Sequence, residues 1–196
     1  MELKTYNEIT GRLATGLDTD RYVHSLGAAF TAAALAMRYN ADVDKALLAG
    51  LLHDCAKCFS AEECYVLCEE AGIELSPLER RNSSLIHAKL GTYIAARDYG
   101  VDDPEILDAI RTHTTGCPGM TDLQKIVFIA DIIEPNREDI IPSIDQMRAE
   151  AFKNLDNAVF LICDRQLAHL ANFPHSEVDP ETKRTYEYYK ELLNEN

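Results

Sequence analysis

Apolar residues recur along the chain at intervals of three and four, the spacing of helices with one buried face, while the alternation of a half-buried strand is nearly absent. Val23, Gly27, Phe30, Ala34 and Met37 form one stripe, and Val43, Ala46, Leu47, Gly50, Leu51 and Asp54 a second. Leu90 and Ile94 continue the face that carries His87. Ile106, Ile110 and His113 share a face, as do Leu123, Ile126, Val127, Ala130 and Asp131. Met147, Ala151, Leu155, Ala158 and Ile162 predict one long helix near the C-terminus. The breaks carry turn chemistry: a capping box at Ser60-Ala-Glu-Glu63, then Gly72 and Ser76-Pro77, then Gly100 through Pro104. A loop, Thr114 through Gly119, directly follows His113, and Pro135 and Pro142 bracket another. Asp179-Pro180 pairs an N-cap with a first-turn proline and predicts a last helix to about Leu193. With no repeat, low-complexity tract or long linker, the expectation is an all-α bundle of roughly eight helices, residues 1–196 forming a single domain.

Composition narrows the partners. A chain of 196 residues, 46% hydrophobic and 27% charged, can bury a sizeable core. The net charge of −14, from 33 acidic and 19 basic residues, argues against a protein that coats nucleic acid or an anionic membrane. A phosphate-bearing substrate would therefore need a local positive site such as bound metal. The opening residues lack a basic segment followed by an apolar one, and no apolar run approaches the roughly 20 residues of a membrane span. Six cysteines without an export signal point to reduced thiols and a cytoplasmic protein.

The chemistry centres on His53-Asp54, at the end of the apolar run that begins at Lys45. Imidazole suits iron, zinc and similar ions, and a carboxylate can bridge two of them. His24, His87, His113 and Asp131 also lie on apolar helical faces. A lone histidine there is usually a satisfied core residue, but four of the six lie near helix ends or turns. Asp54 and Asp131 are harder to treat as packing, because a buried carboxylate must be paired or coordinate a metal. Four imidazoles and two carboxylates suffice for two metals with Asp54 shared. The Cys55-Ala-Lys-Cys58 pair, followed by Cys64 and Cys68, offers a weaker thiolate alternative whose spacing departs from a zinc ribbon.

His24, His53-Asp54 and Asp131 resemble the H…HD…D pattern of the HD-domain metal-dependent phosphohydrolases. Arg21-Tyr-Val-His-Ser-Leu-Gly27, Ala49-Gly-Leu-Leu-His-Asp54, His113-Thr-Thr-Gly116 and Ala130-Asp-Ile-Ile-Glu-Pro-Asn-Arg137 are similar to the words of the YqeK family, over roughly residues 18 to 170. That family contains symmetrical diadenosine tetraphosphate hydrolases with a di-iron centre. The resemblance implies that His24, His53, Asp54 and Asp131 hold one divalent metal and that Asp54 bridges to a second held by His87 and His113. Iron is the first expectation for both, with manganese or another transition metal the alternative. It further implies that a dinucleoside tetraphosphate is cut at its middle bridge into two nucleoside diphosphates. The cysteine cluster matches no family role.

Basic residues near the ligands are candidates for holding the phosphates. Lys57 lies three positions after Asp54 and Arg21 three before His24, each within reach on a helix face. Arg137 follows Asp131 by six, past Pro135. Asp54, Lys57 and Arg137 are the expected catalytic groups. Arg21, Ser60, Thr114, Thr115 and Gly116 join Lys57 and Arg137 as expected substrate contacts, although the simpler role of Ser60 is capping and the loop from Thr114 to Gly116 is equally consistent with a plain turn. His169, His175 and the tyrosines Tyr186, Tyr188 and Tyr189 carry weaker signals. An HD core also admits a deoxynucleotidase, a cyclic dinucleotide phosphodiesterase, a guanosine tetraphosphate hydrolase, a di-iron oxygenase or a nonenzymatic module. The words around Thr114 and Arg137 favour the dinucleoside polyphosphate, and a module need not keep all six ligands.

Overall fold

Eleven α-helices carry the chain in a computed structural model that describes residues 1–137, 144–172 and 177–195. They are α1 (Leu3–Gly16), α2 (Thr19–Tyr39), α3 (Val43–Leu52), α4 (Ala61–Glu70), α5 (Pro77–Arg81), α6 (His87–Tyr99), α7 (Pro104–Thr112), α8 (Asp122–Ile133), α9 (Ile144–Ala151), α10 (Leu155–Ala171) and α11 (Pro180–Asn194). Two 3-10 turns, Cys55–Cys58 and Ser83–Leu85, complete the order, and no strand forms among the described residues. Side chains accept from the first-turn amides of most helices: Asp18 for α2, Asp42 for α3, Ser60 for α4, Ser76 for α5, Asp103 for α7, Thr121 for α8 and Asp179 for α11. No described helix is long and apolar enough to cross a membrane.

Two apolar clusters flank the inner helices. One joins Leu13 of α1, Leu51 and Leu52 of α3, Cys68 of α4, Leu90 and Ile94 of α6 and Ile110 of α7. The other joins Leu35 of α2, Phe128 and Ile129 of α8, Met147 of α9, Val159 and Ile162 of α10 and Tyr189 of α11. Between α2 and α3 the backbones nearly touch: a Cβ on Gly50 would lie 2.9 Å from the Cα of Ala29. Only glycine permits that approach, and it draws the histidines of the two helices together.

Three expectations need correction. The long helix over 147–162 is two helices, because Asn154 adopts extended backbone (φ −151, ψ 115) and its side chain accepts from Asn157 N to start α10 afresh. That split, with α1 and the five-residue α5, raises the count above eight. The stripe of Val23, Phe30 and Met37 points outward, at 40%, 57% and 66% exposure. The buried face of α2 is built instead from His24, Ser25, Ala28, Ala29, Ala32, Ala33, Leu35 and Ala36. Val23, Gly27, Phe30 and Ala34 of that stripe line an open, largely apolar groove with Ile133 and Phe152. Pro142 and His175 lie outside the described residues.

Candidate metal centre

Three of the four histidines are aimed by the main chain. His53 caps the C-terminal end of α3, His113 that of α7, and His87 opens α6. In each, the Nδ1 nitrogen faces a carbonyl three residues upstream: Gly50 O at 2.7 Å, Ile110 O at 2.7 Å and Ser84 O at 2.6 Å. A carbonyl only accepts, so each Nδ1 carries the ring proton and each Nε2 presents a lone pair. Those bonds also satisfy carbonyls left open at helix ends. His24, in the second turn of α2, has no such carbonyl, and its Nδ1 lies 3.2 Å from Glu134 Oε1.

The Nε2 atoms converge with two carboxylates into two joined pockets. In the first, His24 Nε2 is 3.2 Å from His53 Nε2 and 3.0 Å from Asp131 Oδ1, with Asp54 Oδ2 3.6 Å from His53 Nε2. In the second, His87 Nε2 and His113 Nε2 are 3.1 Å apart, and Asp54 Oδ1 lies 3.5 Å from the former and 3.6 Å from the latter. Asp54 thus turns one oxygen to each pocket. His24, His53, Asp54, His87 and His113 are buried, and the Asp131 side chain is 13% exposed.

This donor set fits divalent cations. The lone pairs of His87 and His113 face one another, and the Thr114 hydroxyl, 3.1 Å from both nitrogens, can donate to only one at a time. A cation satisfies both. Burial opposes charge on Asp54 and Asp131, yet the facing imidazoles, with Arg137 beside Asp131, hold both carboxyls well below the usual range. Burial likewise opposes protonation of His24 and His53, but Asp131 raises the first, and Asp54 with Asp131 the second. The first pocket therefore attracts positive charge. In the second, burial, His113 and Lys57 push His87 down to about 3, leaving its imidazole neutral.

The remaining expected residues fall at different distances from this chemistry. Arg21 donates to Asp54 Oδ2 at 2.7 Å, and Arg137 to Asp131 Oδ1 at 2.6 Å and to its carbonyl at 3.0 Å. Lys57, half-buried in the turn after Asp54, is close enough for its charge to act on His87. Ser60 uses its hydroxyl and amide in the capping box with Glu63. Gly116 is a turn residue: its φ is +64, its N–H donates to Thr112 O, and a Cβ there would meet Thr185 at 2.7 Å, so the expected amide contact to substrate is already taken. Thr115 O accepts from Thr185 Oγ1 at 3.0 Å, and its hydroxyl donates to Gly116 O. The thiolate alternative fails: all six cysteines are free, none joins the ligand groups among the described residues, and burial pushes the Cys55 thiol up.

Glu134 is the residue the sequence left without a role. It is 1% exposed, and its second oxygen accepts from Asn136 N at 2.7 Å and Asn136 Nδ2 at 3.0 Å. A Cβ on Gly27 would lie 2.2 Å from that oxygen, so the glycine makes room for it. A buried carboxylate behind an imidazole that could hold a metal fixes the ring's tautomer and raises its basicity. Its spacing from Asp131 is the one signal available in sequence.

An all-helical scaffold that gathers four histidines and two aspartates into two joined pockets defines a centre able to bind divalent metal. The HD domain family model matches residues 21–136, more than half of the chain, and the chain belongs to that family. It is 38% identical over 172 residues to the symmetrical bis(5'-nucleosyl)-tetraphosphatase of Bacillus subtilis, covering 88% of this chain and 90% of that one. The protein of the same name from Halalkalibacterium halodurans is 36% identical over 170 residues, covering 87% and 89%. Among solved structures, an HD superfamily hydrolase of Clostridium acetobutylicum, described as involved in NAD metabolism, superposes with a TM-score of 0.90 at 38% identity, covering 95% of this chain and 97% of that one.

Proposed function

We propose that the chain, acting as one domain, is a metal-dependent symmetrical tetraphosphatase that hydrolyses diadenosine tetraphosphate to two molecules of ADP. The observation that carries this is Asp54, whose two oxygens serve two imidazole pockets at once. The names of the relatives from Bacillus subtilis and Halalkalibacterium halodurans supply the substrate. His24, His53, Asp54 and Asp131 would hold one divalent ion, and Asp54, His87 and His113 the other. Iron is the first candidate because the family resemblance implies it, with manganese or another transition metal the alternative; nitrogen and oxygen donors without thiolate accommodate any of these.

When bound, the two cations supply positive potential for phosphate oxygens and activate water for attack on an inner phosphorus. The chain's own groups do the rest. Each guanidinium has five N–H donors; Arg21 uses one on the Asp54 carboxylate, and Arg137 uses one on the Asp131 carboxylate and one on the Asp131 main-chain carbonyl, leaving donors for phosphate oxygens. Lys57 adds a compact charge beside the second pocket, and the Thr114 hydroxyl donates there. These cations offset the net charge of −14 where a polyphosphate must approach.

The test is turnover of diadenosine tetraphosphate by protein purified without chelator, with metal counted by elemental analysis. Two ADP, with one oxygen-18 from labelled water and no need for dissolved oxygen, is the expected result. Release of AMP and ATP would refute symmetrical cleavage, and oxygen consumption without phosphate products would move the protein to the oxygenase class.

A further inference from the structure

Of the six large hydrophobic residues exposed among the described residues, four gather on one surface: Val23, Phe30 and Met37 of α2, and Phe152 just beyond α9. Single exposed apolar residues are ordinary, but a contiguous apolar patch marks a surface that another surface covers. This patch has an order. Val23, Phe30 and Met37 recur every seven residues and form a ridge along about 21 Å of helix. Beside the ridge the small side chains at Gly27, Thr31 and Ala34 leave a furrow, and Ile133, Pro135 and Phe152 line the same groove. Charge is missing as well. Residues 22–37 contain no Asp, Glu, Lys or Arg, in a chain whose charged fraction is 27%, whereas a helix face turned to water normally carries such groups.

The face is complementary to itself. Asp20 and Arg38 are both exposed and lie at opposite ends of α2, about five helical turns apart, so they point in the same direction from its axis. The Arg38 head is fixed at the groove's edge, its Nε donating to Phe152 O at 2.9 Å. A second copy laid antiparallel, with a two-fold axis beside Phe30, sets Asp20 of each copy against Arg38 of the other. The same axis sets Val23 against Met37 and brings each Phe30 ring over the furrow at Gly27 and Ala34 of the other copy. Antiparallel helices also place each positive dipole end beside a negative one. The net charge of −14 repels a second copy wherever carboxylates face one another, and it repels an anionic membrane altogether. The charge-free face of α2 is where two copies repel least.

We propose that the outer face of α2 is a homodimer interface, in which two copies of the chain pack α2 antiparallel about a two-fold axis beside Phe30. Isologous pairing is the commonest closed assembly, and it uses one self-complementary patch on both partners. The 21 residues of α2 are about 30 Å long, and with the Phe152 flank the contact comes near the lower bound of about 1,000 Å² in total for a specific interface. An interface of that size gives a dimer with a micromolar Kd.

The test is sedimentation velocity of the metal-loaded full chain, in a concentration series up to about 100 µM, well above the micromolar range of so small an interface. The wild type should pass from monomer to dimer along the series. Phe30→Glu removes both rings at the axis and sets two carboxylates face to face. It should raise the dimer Kd about 100-fold. Because Phe30 is 57% exposed, metal content and the Tm of the monomer should stay near wild type. Asp20→Arg and Arg38→Asp should each weaken the dimer, and the two together should restore it, as antiparallel pairing requires. A wild type that stays monomeric across the series would overturn the proposal. Binding of that monomer to neutral phosphatidylcholine vesicles, lost in Phe30→Glu, would assign the face to lipid instead. A dimer indifferent to Phe30→Glu and to both charge exchanges would place the interface elsewhere and overturn the proposal equally.

Discussion

Replacing Glu134 by glutamine tests how the first pocket is built. The carboxylate accepts from His24 Nδ1 at 3.2 Å, Asn136 N at 2.7 Å and Asn136 Nδ2 at 3.0 Å, and both of its oxygens are in use. Glutamine keeps the shape but has one acceptor oxygen. If that oxygen stays with Asn136, the His24 N–H faces an amide NH2 and loses its partner. A hydrogen bond to a charged group contributes about 1.5–3 kcal/mol. Loss of such an outer partner typically lowers metal affinity or activity by about 10–100-fold. The expected outcome is therefore selective: the ion held by His24, His53 and Asp131 is lost at much lower chelator concentration, and the ion held by His87 and His113 stays. Elemental analysis after dialysis against graded chelator reads this directly, with thermal unfolding of the loaded protein as the control for misfolding. Gly27→Ala reaches the same carboxylate from the opposite side, since its Cβ would lie 2.2 Å from Oε2. Wild-type chelator resistance in Glu134→Gln, with the protein folded, would refute the argument that this carboxylate orients His24.

Three further outcomes follow from the same geometry. Asp54→Ala removes the carboxylate common to both pockets and should abolish turnover and sharply lower metal content; a full metal load would contradict the bridging assignment. Cys55→Ala combined with Cys58→Ala should leave metal content unchanged, because Cys55 Sγ donates to Gly91 O and stands outside the ligand groups; loss of all metal would revive the thiolate site. Glu79 concerns pH: burial opposes its charge, but Lys89 and the Ser76 cap hold its carboxyl below the usual value. Its pKa is depressed in the fold, so its contribution is present above the unfolded pKa and fades as pH falls through the folded one. Glu79→Gln should lower Tm at neutral pH by about 2–4 °C, the equivalent of about 1 kcal/mol, with the gap closing in acid; a gap independent of pH would exclude the Lys89 ion pair as its cause.

The cluster of buried carboxylates and imidazoles was legible because burial makes charge expensive. Asp54 and Asp131 sit in register with leucine, isoleucine and alanine, and such positions call for a counter-charge whatever the fold. The core face of α2 was not legible. Its buried residues are mostly alanines, and the larger Val23, Phe30 and Met37 on the outer face dominate any reading by hydrophobicity. Size, not polarity, decides there, because α2 must approach α3 closely at Gly50. The break before α10 hung on Asn154, whose capping role shows only once its φ of −151 is known. Glu134 stayed hidden because its partner, His24, is 110 positions away in sequence.

Hanging imidazoles on helix ends makes the centre a set of rivets. His24 and His53 are 29 residues apart in the chain, and His87 and His113 are 26. An ion between each pair, as proposed, would close a loop that the unfolded chain would leave open, and loop closure is an entropic cost already met in the folded protein. Metal loading should then slow unfolding and protect the ends of α3 and α7 from hydrogen exchange, in the absence of any substrate. A variant silent in catalysis could still shorten the protein's lifetime by loosening one rivet.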